Sequence, residues 1–266
     1  MVNSRGPVFP MTAVTLTLNG ALLAADLSGA LFWAERKTLV VADLHLEKGS
    51  GLAARGCLLP PYDTARTLDL LAGVVARYAP ETLVCLGDSF HDPAAGGRVL
   101  PLDGARIARM TGTCDWIWVV GNHDPHPPDT WGGRVAREFR LGPLTFRHKA
   151  AAAPDPGEVS GHYHPVGAVR TRLRRLRSRC FVTDGVRLVL PAFGAFTGGL
   201  NVRDPAVERL FPRGYEVVLL GGSGLYRFPR ARLSPDVSAG PPGQRGAGLS
   251  ATRTAQRPGL LSDPDC

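Results

Sequence analysis

The stretch Thr38–Gly49, TLVVADLHLEKG, decides the fold. An apolar, β-branched run from Thr38 to Ala42 ends abruptly in Asp43 and His45, which predicts a buried strand followed by polar ligands. Residues two apart on a strand point to the same side, so the carboxylate and the imidazole are expected to converge. Open α/β sheets bind ligands at the carboxyl ends of their strands. The stretch therefore predicts the start of a metal site with oxygen and imidazole donors.

Composition sets the frame for this site. The chain has 266 residues, 44% of them hydrophobic, which is enough for one large domain and a tail. Lys+Arg number 31 against 23 Asp+Glu, and the net charge of +8 favours anionic partners, although a GC-rich coding bias would also raise the arginine count. We find no signal-peptide pattern, no apolar stretch that could span a bilayer and no CxxC pair among the five cysteines. We therefore expect a soluble, cytoplasmic protein without a disulfide framework.

Two further apolar runs also end in ligand-type residues. Thr82–Leu86 is followed by Gly87-Asp88, and Trp116–Val120 is followed by Gly121-Asn122-His123-Asp124. Helical spacing of apolar residues over 62–78 places a helix between the first two strands. The first half of the chain therefore reads βαβαβ, with a crossover connection between parallel strands.

The second half changes to short strands with tight turns, among them the hairpin dipeptide Asp184-Gly185. Strand patterns occur at 144–148, 158–162, 180–183, 187–190 and 215–220. Together the halves predict an α/β (α+β) domain over residues 15–228, with two sheets face to face and helices outside. Residues 1–14 and the Pro/Gly/Arg-rich segment 229–266 are expected to be disordered.

Turn residues predict two features nearer the N-terminus. The alternating segment Thr15–Leu18 ends in Asn19-Gly20, a hairpin signal, with Ala30–Ala34 as the candidate return strand. Gly49, Gly51 and Gly56 predict a flexible loop before the helix.

Eight polar residues at predicted strand ends could form a two-metal site: Asp43, His45, Asp88, Asn122, His123, His148, His162 and His164. Asp88 is the natural bridging carboxylate, because its strand lies between the other two. Two divalent ions about 3.5–4 Å apart can bind a phosphate and activate a hydroxide for in-line attack. Nitrogen and oxygen donors without thiolate favour manganese, iron or zinc over magnesium. With Asn122 as a ligand, His123 would face the substrate as general acid, held protonated by Asp124.

The order of these residues resembles the pattern of the calcineurin-like metallophosphoesterase superfamily. The motifs are Asp43-x-His45, Gly87-Asp88, Gly121-Asn122-His123-Asp124, His148 and Gly161-His162-x-His164, within roughly residues 15–222. The resemblance implies a four-layer β-sandwich flanked by helices. It also implies one metal held by Asp43, His45, Asp88 and His164, and a second held by Asp88, Asn122, His148 and His162.

Four longer runs look like the bacterial ligase-associated DNA-damage-response endonucleases, the PdeM-type phosphoesterases: residues 41–49, 59–64, 86–92 and 190–201. This likeness implies a manganese-dependent phosphodiesterase that works beside a DNA ligase and a helicase. The segment Gly87–His91 is also similar to the double-strand-break repair nucleases, in which that histidine faces nucleic acid.

Residues outside the ligand set have more than one interpretation. His91 could contact the substrate phosphate, support Asp88 or be a plain loop residue. If the segment 170–179 is extended, Arg170, Arg172 and Arg174 share one face near the metals and could follow a phosphate backbone. A charged, solvated edge that prevents sheet pairing is the alternative.

Three functions are compatible with these patterns. The first is a metal-dependent phosphodiesterase or endonuclease acting on DNA, with a hydroxide activated by two metals as nucleophile. The second is a phosphomonoesterase or cyclic-nucleotide phosphodiesterase of the same superfamily. The third is a non-catalytic repair scaffold, which would be expected to lose ligands.

Overall fold

The computed structural model describes residues 12–57, 62–127, 129–172 and 174–236. Its first sheet contains seven strands, ordered in space as they occur in the chain. They are β1 (Ala13–Leu18), β2 (Ala21–Asp26), β3 (Leu31–Trp33), β4 (Thr38–Val41), β5 (Thr82–Leu86), β6 (Asp115–Val119) and β7 (Arg134–Ala136). The first four strands pair antiparallel and the last four pair parallel, so β4, β5 and β6 end at the same edge.

Helices connect the parallel strands, which confirms the predicted βαβαβ order. They are α1 (Lys48–Ala54), α2 (Asp63–Tyr78) and α3 (Pro101–Thr111). Ala79 ends α2 in a left-handed conformation, directly before Pro80, which cannot continue a helix. Short 3-10 helices cover Ala34–Arg36, Ala95–Gly97, Asp129–Trp131 and Arg230–Arg232.

The second sheet contains the remaining strands of the described chain. They are β8 (Glu138–Leu141), β9 (Leu144–Arg147), β10 (Glu158–Ser160), β11 (Pro165–Arg170), β12 (Arg175–Thr183), β13 (Arg187–Val189), β14 (Leu200–Asn201), β15 (Glu216–Leu220) and β16 (Leu225–Pro229). The spatial order is β14-β11-β12-β13-β10-β9-β8, with β15 on β12 and β16 on β15. The predicted Asp184-Gly185 turn joins the antiparallel strands β12 and β13. The short helix α4 (Pro205–Glu208) precedes β15.

Three buried apolar clusters define four layers. The inner faces of the two sheets meet in one cluster, to which Val84 and Ile117 contribute from the first sheet and Phe181 from the second. The outer face of the first sheet packs against α2 and α3, through residues such as Leu71. The outer face of the second sheet is covered by the segment that contains α4, through residues such as Val207. The predicted sandwich of two sheets flanked by helices is confirmed.

Two local predictions near the N-terminus were wrong. The hairpin forms at Asn19-Gly20, but its return strand is β2, and Ala30–Ala34 instead supplies the third strand. The alanine-rich β2 has few β-branched residues, so its sequence lacks the usual strand composition. The predicted loop around Gly51 contains α1 instead. A Cβ on Gly51 would lie 2.9 Å from Asp92 Oδ2, so glycine allows this helix to pack closely.

The predicted ends of the domain lie near the limits of the described chain. The first strand begins at Ala13, and the predicted boundary at 228/229 falls inside β16, after which described structure continues to residue 236. Residues 1–11 and 237–266, on which the prediction of disorder falls, lie outside the described residues. Among the helices that are described, none combines the length and apolar character needed to cross a bilayer.

Candidate metal centre

The loops that follow β4 and β5 run side by side, and this arrangement positions the first ligand candidates. The His45 amide donates to the Asp88 carbonyl at 2.9 Å, and the Leu46 amide donates to the Ser89 carbonyl at 2.9 Å. The His91 amide then returns to the Leu46 carbonyl, also at 2.9 Å. Asp43 and Asp88 are thereby held close together where the two parallel strands end.

The backbone at these positions is left-handed. Strand β4 ends at Val41, so Asp43 and His45 lie in the loop that follows it. The prediction that they alternate on the strand itself was wrong. Five candidate ligands have positive φ angles: Asp43 (53°), His45 (45°), Asp88 (45°), His162 (73°) and His164 (44°). Non-glycine residues rarely adopt this conformation, and each instance costs about 1–2 kcal/mol. Strained backbone of this kind occurs at functional sites.

One group of donor atoms comes from two separate loops. Asp43, His45 and His164 each offer one ligand atom, and these atoms lie within 4.8 Å of one another. The two imidazoles approach with Nε2 to Nε2 at 3.1 Å, and His164 Nε2 lies 3.5 Å from Asp43 Oδ1. The His162 amide donates to both carboxylate oxygens of Asp43, at 3.2 and 3.0 Å, which ties the loop after β10 to the loop after β4.

A second group lies beside the first. Asp88, His148 and His162 also place ligand atoms within 4.8 Å of one another. His148 Nε2 lies 2.9 Å from Asn122 Oδ1, 3.1 Å from His162 Nδ1 and 3.4 Å from Asp88 Oδ2. The structure therefore brings the seven residues predicted as metal ligands together: Asp43, His45 and His164 form one group, Asp88, His148 and His162 form the other, and Asn122 lies beside the second.

The chemistry of these donors fits divalent cations. His148 Nδ1 lies 3.0 Å from the Leu86 carbonyl, which can only accept, so Nδ1 carries a proton and Nε2 of the neutral ring offers a lone pair. That nitrogen faces the Asn122 and Asp88 oxygens, which are acceptors as well. Such a convergence of lone pairs needs either a proton on His148 or a cation. Buried, hard oxygen and imidazole donors of this kind suit manganese, iron or zinc.

Electrostatics separate the histidines by role. Burial, together with neighbouring His164, holds the pKa of His45 well below its usual range. Burial and His148 lower the pKa of His162 to about 4, so this ring is neutral at physiological pH. Burial would also lower the pKa of His148, but hydrogen bonding to Asp88 and the charge of Asp43 raise it to about 9. A cation between these groups would replace the proton on His148.

Glycines make the close approach of the ligands possible. A Cβ on Gly87 would lie 2.4 Å from His148 Nδ1, one on Gly121 would lie 2.1 Å from Asp88 Oδ1, and one on Gly161 would lie 2.6 Å from Asp43 Oδ2. Each of these glycines directly precedes a candidate ligand and leaves room for a ligand from a different strand. The Gly-Asp, Gly-Asn-His and Gly-His-x-His spacings in the sequence therefore have a steric cause.

The predicted contact between Asp124 and His123 does not form. Its buried carboxylate accepts backbone amides from Ser89 at 2.8 Å, Phe90 at 3.1 Å and Gly121 at 3.0 Å. Burial and the nearby charge of Asp88 raise its pKa to about 7, in spite of these hydrogen bonds. His123 Nδ1 instead lies 2.9 Å from the backbone carbonyl of His91. Asp124 thus fixes the loops, and a carbonyl takes the place at His123 that was predicted for a carboxylate.

A cleft of about 540 Å³ opens above the two groups of donor atoms. The rings of His91 and His123 stack in it with their centroids 5.6 Å apart, so His91 faces the cleft. Three cationic side chains that the sequence analysis missed also line it: Lys48, Lys149 and Arg209. They come from three distant parts of the chain, and only tertiary packing brings them together.

The predicted arginine face lies elsewhere. Strand β11 ends at Arg170 and pairs antiparallel with β12, Arg170 opposite Arg175, so Arg170, Arg172 and Arg174 do not share one extended face. Arg170 lies six residues beyond His164 along β11, or about 20 Å at 3.4 Å per residue. The expectation that these arginines lie near the metals was wrong, because a hairpin reverses the chain inside the arginine run.

Comparison with known proteins agrees with this geometry. The family model "Calcineurin-like phosphoesterase" matches residues 36–183, more than half of the chain, and the chain belongs to this family. Members of the family use two divalent metals, and the structure has two candidate His/Asp sites for them.

Among solved structures, the nuclease MPE from Pseudomonas putida is similar. It is 27% identical with a TM-score of 0.65, and the match covers 81% of this chain and 100% of that one. Yfce, a phosphoesterase from E. coli, is 13% identical over 72% of this chain and 98% of that one, with a TM-score of 0.36, which is too low to carry an argument. No curated protein matches this chain.

Proposed function

We propose that this protein is a two-metal phosphodiesterase that cuts nucleic acid internally, as an endonuclease. The observation that carries the proposal is the pair of adjacent donor groups beneath a cationic cleft. Six of the seven proposed ligands are buried or half-buried and Asn122 is exposed, and such a convergent set of donors suits a phosphoester. The similarity to a nuclease from Pseudomonas putida supports a nucleic-acid substrate.

The proposed ligand sets follow the two groups. Asp43, His45 and His164 would hold one cation, and Asn122, His148 and His162 the other, with Asp88 shared between them. Two divalent cations bound there would activate a water molecule and neutralise charge that develops on the phosphate. The protein's own contribution is to hold these donors rigidly, through the paired loops and the glycine contacts.

His123 is the proposed general acid. Its ring lies 5.3 Å from that of His45 and lines the cleft, so it is close to both the candidate cations and the substrate space. The carbonyl of His91 can only accept, so it favours a proton on Nδ1 and supports the positively charged ring. The protonated ring could then give its Nε2 proton to the leaving oxygen.

Cations at the rim of the cleft would bind the substrate. Lys149 and Arg209 are exposed there, and Lys48 lies deeper, beside His91. Each phosphate of a nucleic-acid strand carries one negative charge. The phosphates on either side of the one under attack would therefore pair with the cations on this rim. His91, with its ring in the same cleft, is the proposed contact to the phosphate under attack.

The biological setting follows from the sequence resemblance. Manganese as the native metal, action on DNA in repair, and work beside a DNA ligase and a helicase are the properties that we propose on this basis. The nuclease neighbour supports the nucleic-acid part of this proposal.

A substrate panel tests the proposed function. The protein, reconstituted with Mn²⁺, is offered circular single-stranded DNA, linear duplex DNA, a cyclic nucleotide, a bis-aryl phosphate and an aryl monophosphate. We expect hydrolysis of the bis-aryl phosphate and opening of the DNA circle. Turnover confined to the aryl monophosphate, or to the cyclic nucleotide, would contradict the proposal.

Two variants test the roles of individual residues. Asp88→Asn should abolish turnover, whereas Asp69→Asn, at an exposed carboxylate on α2, should retain it. His123→Ala should lower the rate more than the metal content. If His123→Ala lowers the metal content as much as the rate, His123 is not the general acid.

A further inference from the structure

A second groove lies away from the metal centre. It has a volume of about 670 Å³ and lies between the turn from β11 to β12 and the turn from β15 to β16. The residues that give it its chemistry are Arg170, Arg174, Arg177, Arg232, Tyr226 and Phe228. We call it the arginine groove. We propose that it binds single-stranded nucleic acid, as an extension of the substrate site; this rests on the proposed function.

Charge is the first argument. Among the described residues, no Asp or Glu lines the arginine groove. Some arginines elsewhere on the surface pair with carboxylates, as at Arg134–Asp115 (3.1 Å) and Arg227–Glu216 (2.8 Å).

In the groove the arginines are left largely uncompensated. Arg177 lies 3.5 Å from Asp236 and donates to a backbone carbonyl. For Arg170, Arg174 and Arg232, no carboxylate of the described chain lies within ion-pair distance. These uncompensated guanidinium groups are suited to a polyanion.

Tyr226 is the second argument. It is 49% exposed and lines the groove. A Cβ on Gly221 would lie 2.6 Å from Tyr226 Cε2, so one part of the ring rests directly on the glycine backbone. The ring is thus supported by the chain itself and exposes the rest of its surface among the arginines. An aromatic platform beside cationic side chains is how proteins bind unpaired bases without reading their sequence.

The arginines and the exposed tyrosine together favour a single-stranded nucleic acid as the ligand of this groove. An acidic peptide would use the arginines but has no need of a flat aromatic surface, and duplex DNA hides its base faces. A single strand offers phosphates to Arg170 and Arg174 and a base face to Tyr226. Because β11 connects His164 to Arg170 over about 20 Å, a strand with stacked bases at 3.4 Å each that occupies both sites would span about six nucleotides.

The test measures binding by fluorescence anisotropy. The full chain in EDTA is titrated with a labelled, mixed-sequence 12-nucleotide strand at salt concentrations between 50 and 200 mM. EDTA prevents cleavage, so binding is separated from turnover. The variant Arg170→Ala/Arg174→Ala should reduce the slope of log affinity against log salt by about 1.4, or 0.7 for each phosphate that the variant no longer neutralises. Tyr226→Ala should weaken binding about 5- to 150-fold, and Tyr226→Phe should keep most of the affinity.

A matched control separates the groove from general charge. Arg66→Ala/Arg109→Ala removes the same charge from exposed positions on α2 and α3 and should leave the slope nearly unchanged. Equal slopes for the wild type and the groove variant, equal losses in both arginine pairs, or equal losses in Tyr226→Phe and Tyr226→Ala would overturn the proposal. Preference for an acidic peptide over the DNA strand would do so as well. Failure of the wild type with Mn²⁺ to open circular DNA contradicts the proposed function instead, whatever the binding result.

Discussion

Replacing Gly121 by alanine should disable the metal centre through a single added methyl group. The new Cβ would lie 2.1 Å from Asp88 Oδ1 and 2.2 Å from the Asp88 backbone nitrogen, where ordinary contacts are 3.4–4 Å. A side-chain rotation could relieve the first contact but not the second. The ends of β5 and β6 must therefore separate, and Asp88, the proposed shared ligand, must move by more than about 1 Å.

The expected loss of rate follows from this shift. A displacement of about 1 Å at reacting groups costs on the order of 100-fold in rate, equivalent to about 2.7 kcal/mol. We expect Gly121→Ala to hydrolyse a bis-aryl phosphate at about 1% of the wild-type rate or less, with manganese content reduced when measured by inductively coupled plasma mass spectrometry.

The control for this experiment is another Gly→Ala change. Gly73 lies in α2, and a Cβ there would meet no atom within 4 Å, so Gly73→Ala should retain full activity. If Gly121→Ala keeps full metal content and a rate within about threefold of the wild type, the reasoning from close packing is refuted.

Three further predictions concern stability. Gly73→Ala should raise the free energy of unfolding by about 0.5–1 kcal/mol, measured in urea, because alanine is the better helix former. Asp26→Asn should cost about 1.5–3 kcal/mol at pH 7, because the buried carboxylate accepts two hydrogen bonds from Arg77. Burial would raise the pKa of Asp26, but hydrogen bonds from Ser28 and the charge of Arg77 lower it overall. The stabilisation by this carboxylate is therefore complete above about pH 4 and is lost as the pH falls through the lowered pKa. In urea titrations at acid pH, the stabilities of the wild type and Asp26→Asn should converge. Added Mn²⁺ should raise the thermal midpoint of the wild type but not of Asp43→Ala, since a ligand that binds only the folded state stabilises it.

The central sheet and the meeting of the candidate ligands at one place could be predicted from the sequence because both depend on local patterns. The apolar runs before Asp43, Asp88 and Asn122 are short, uninterrupted and followed at once by polar residues. Parallel strands that end together bring such residues to one edge, whatever the details of the loops. The convergence of His148 and His162 with them followed from the motif order and did not need the exact backbone.

Features that depend on distant contacts were not predictable. Lys48, Lys149 and Arg209 have no shared motif, and they meet only because three loops surround one cleft. The hairpin inside the arginine run has neither glycine nor proline to announce it. The turn is closed instead by the Thr171 hydroxyl, which donates to the Arg174 carbonyl and accepts from the Arg174 amide. Threonine is also common in strands, so the sequence alone does not indicate this turn.

The partner of His123 was also beyond the sequence. Adjacent residues such as His123 and Asp124 suggest a pair, but neighbours along a chain often point in different directions. The Asp124 carboxylate turns inward to three amides, and their arrangement depends on how two strand ends meet.

The left-handed backbone at five candidate ligands has a consequence for attempts to raise the thermal stability of this protein by mutation. Glycine would occupy Asp43, His45, Asp88, His162 or His164 with less torsional strain, so these positions hold backbone strain in exchange for donor atoms. A library screened for heat resistance alone has no selection that keeps these donor atoms. Thermostabilising campaigns on this scaffold should therefore hold these five codons fixed and randomise the outer helices instead.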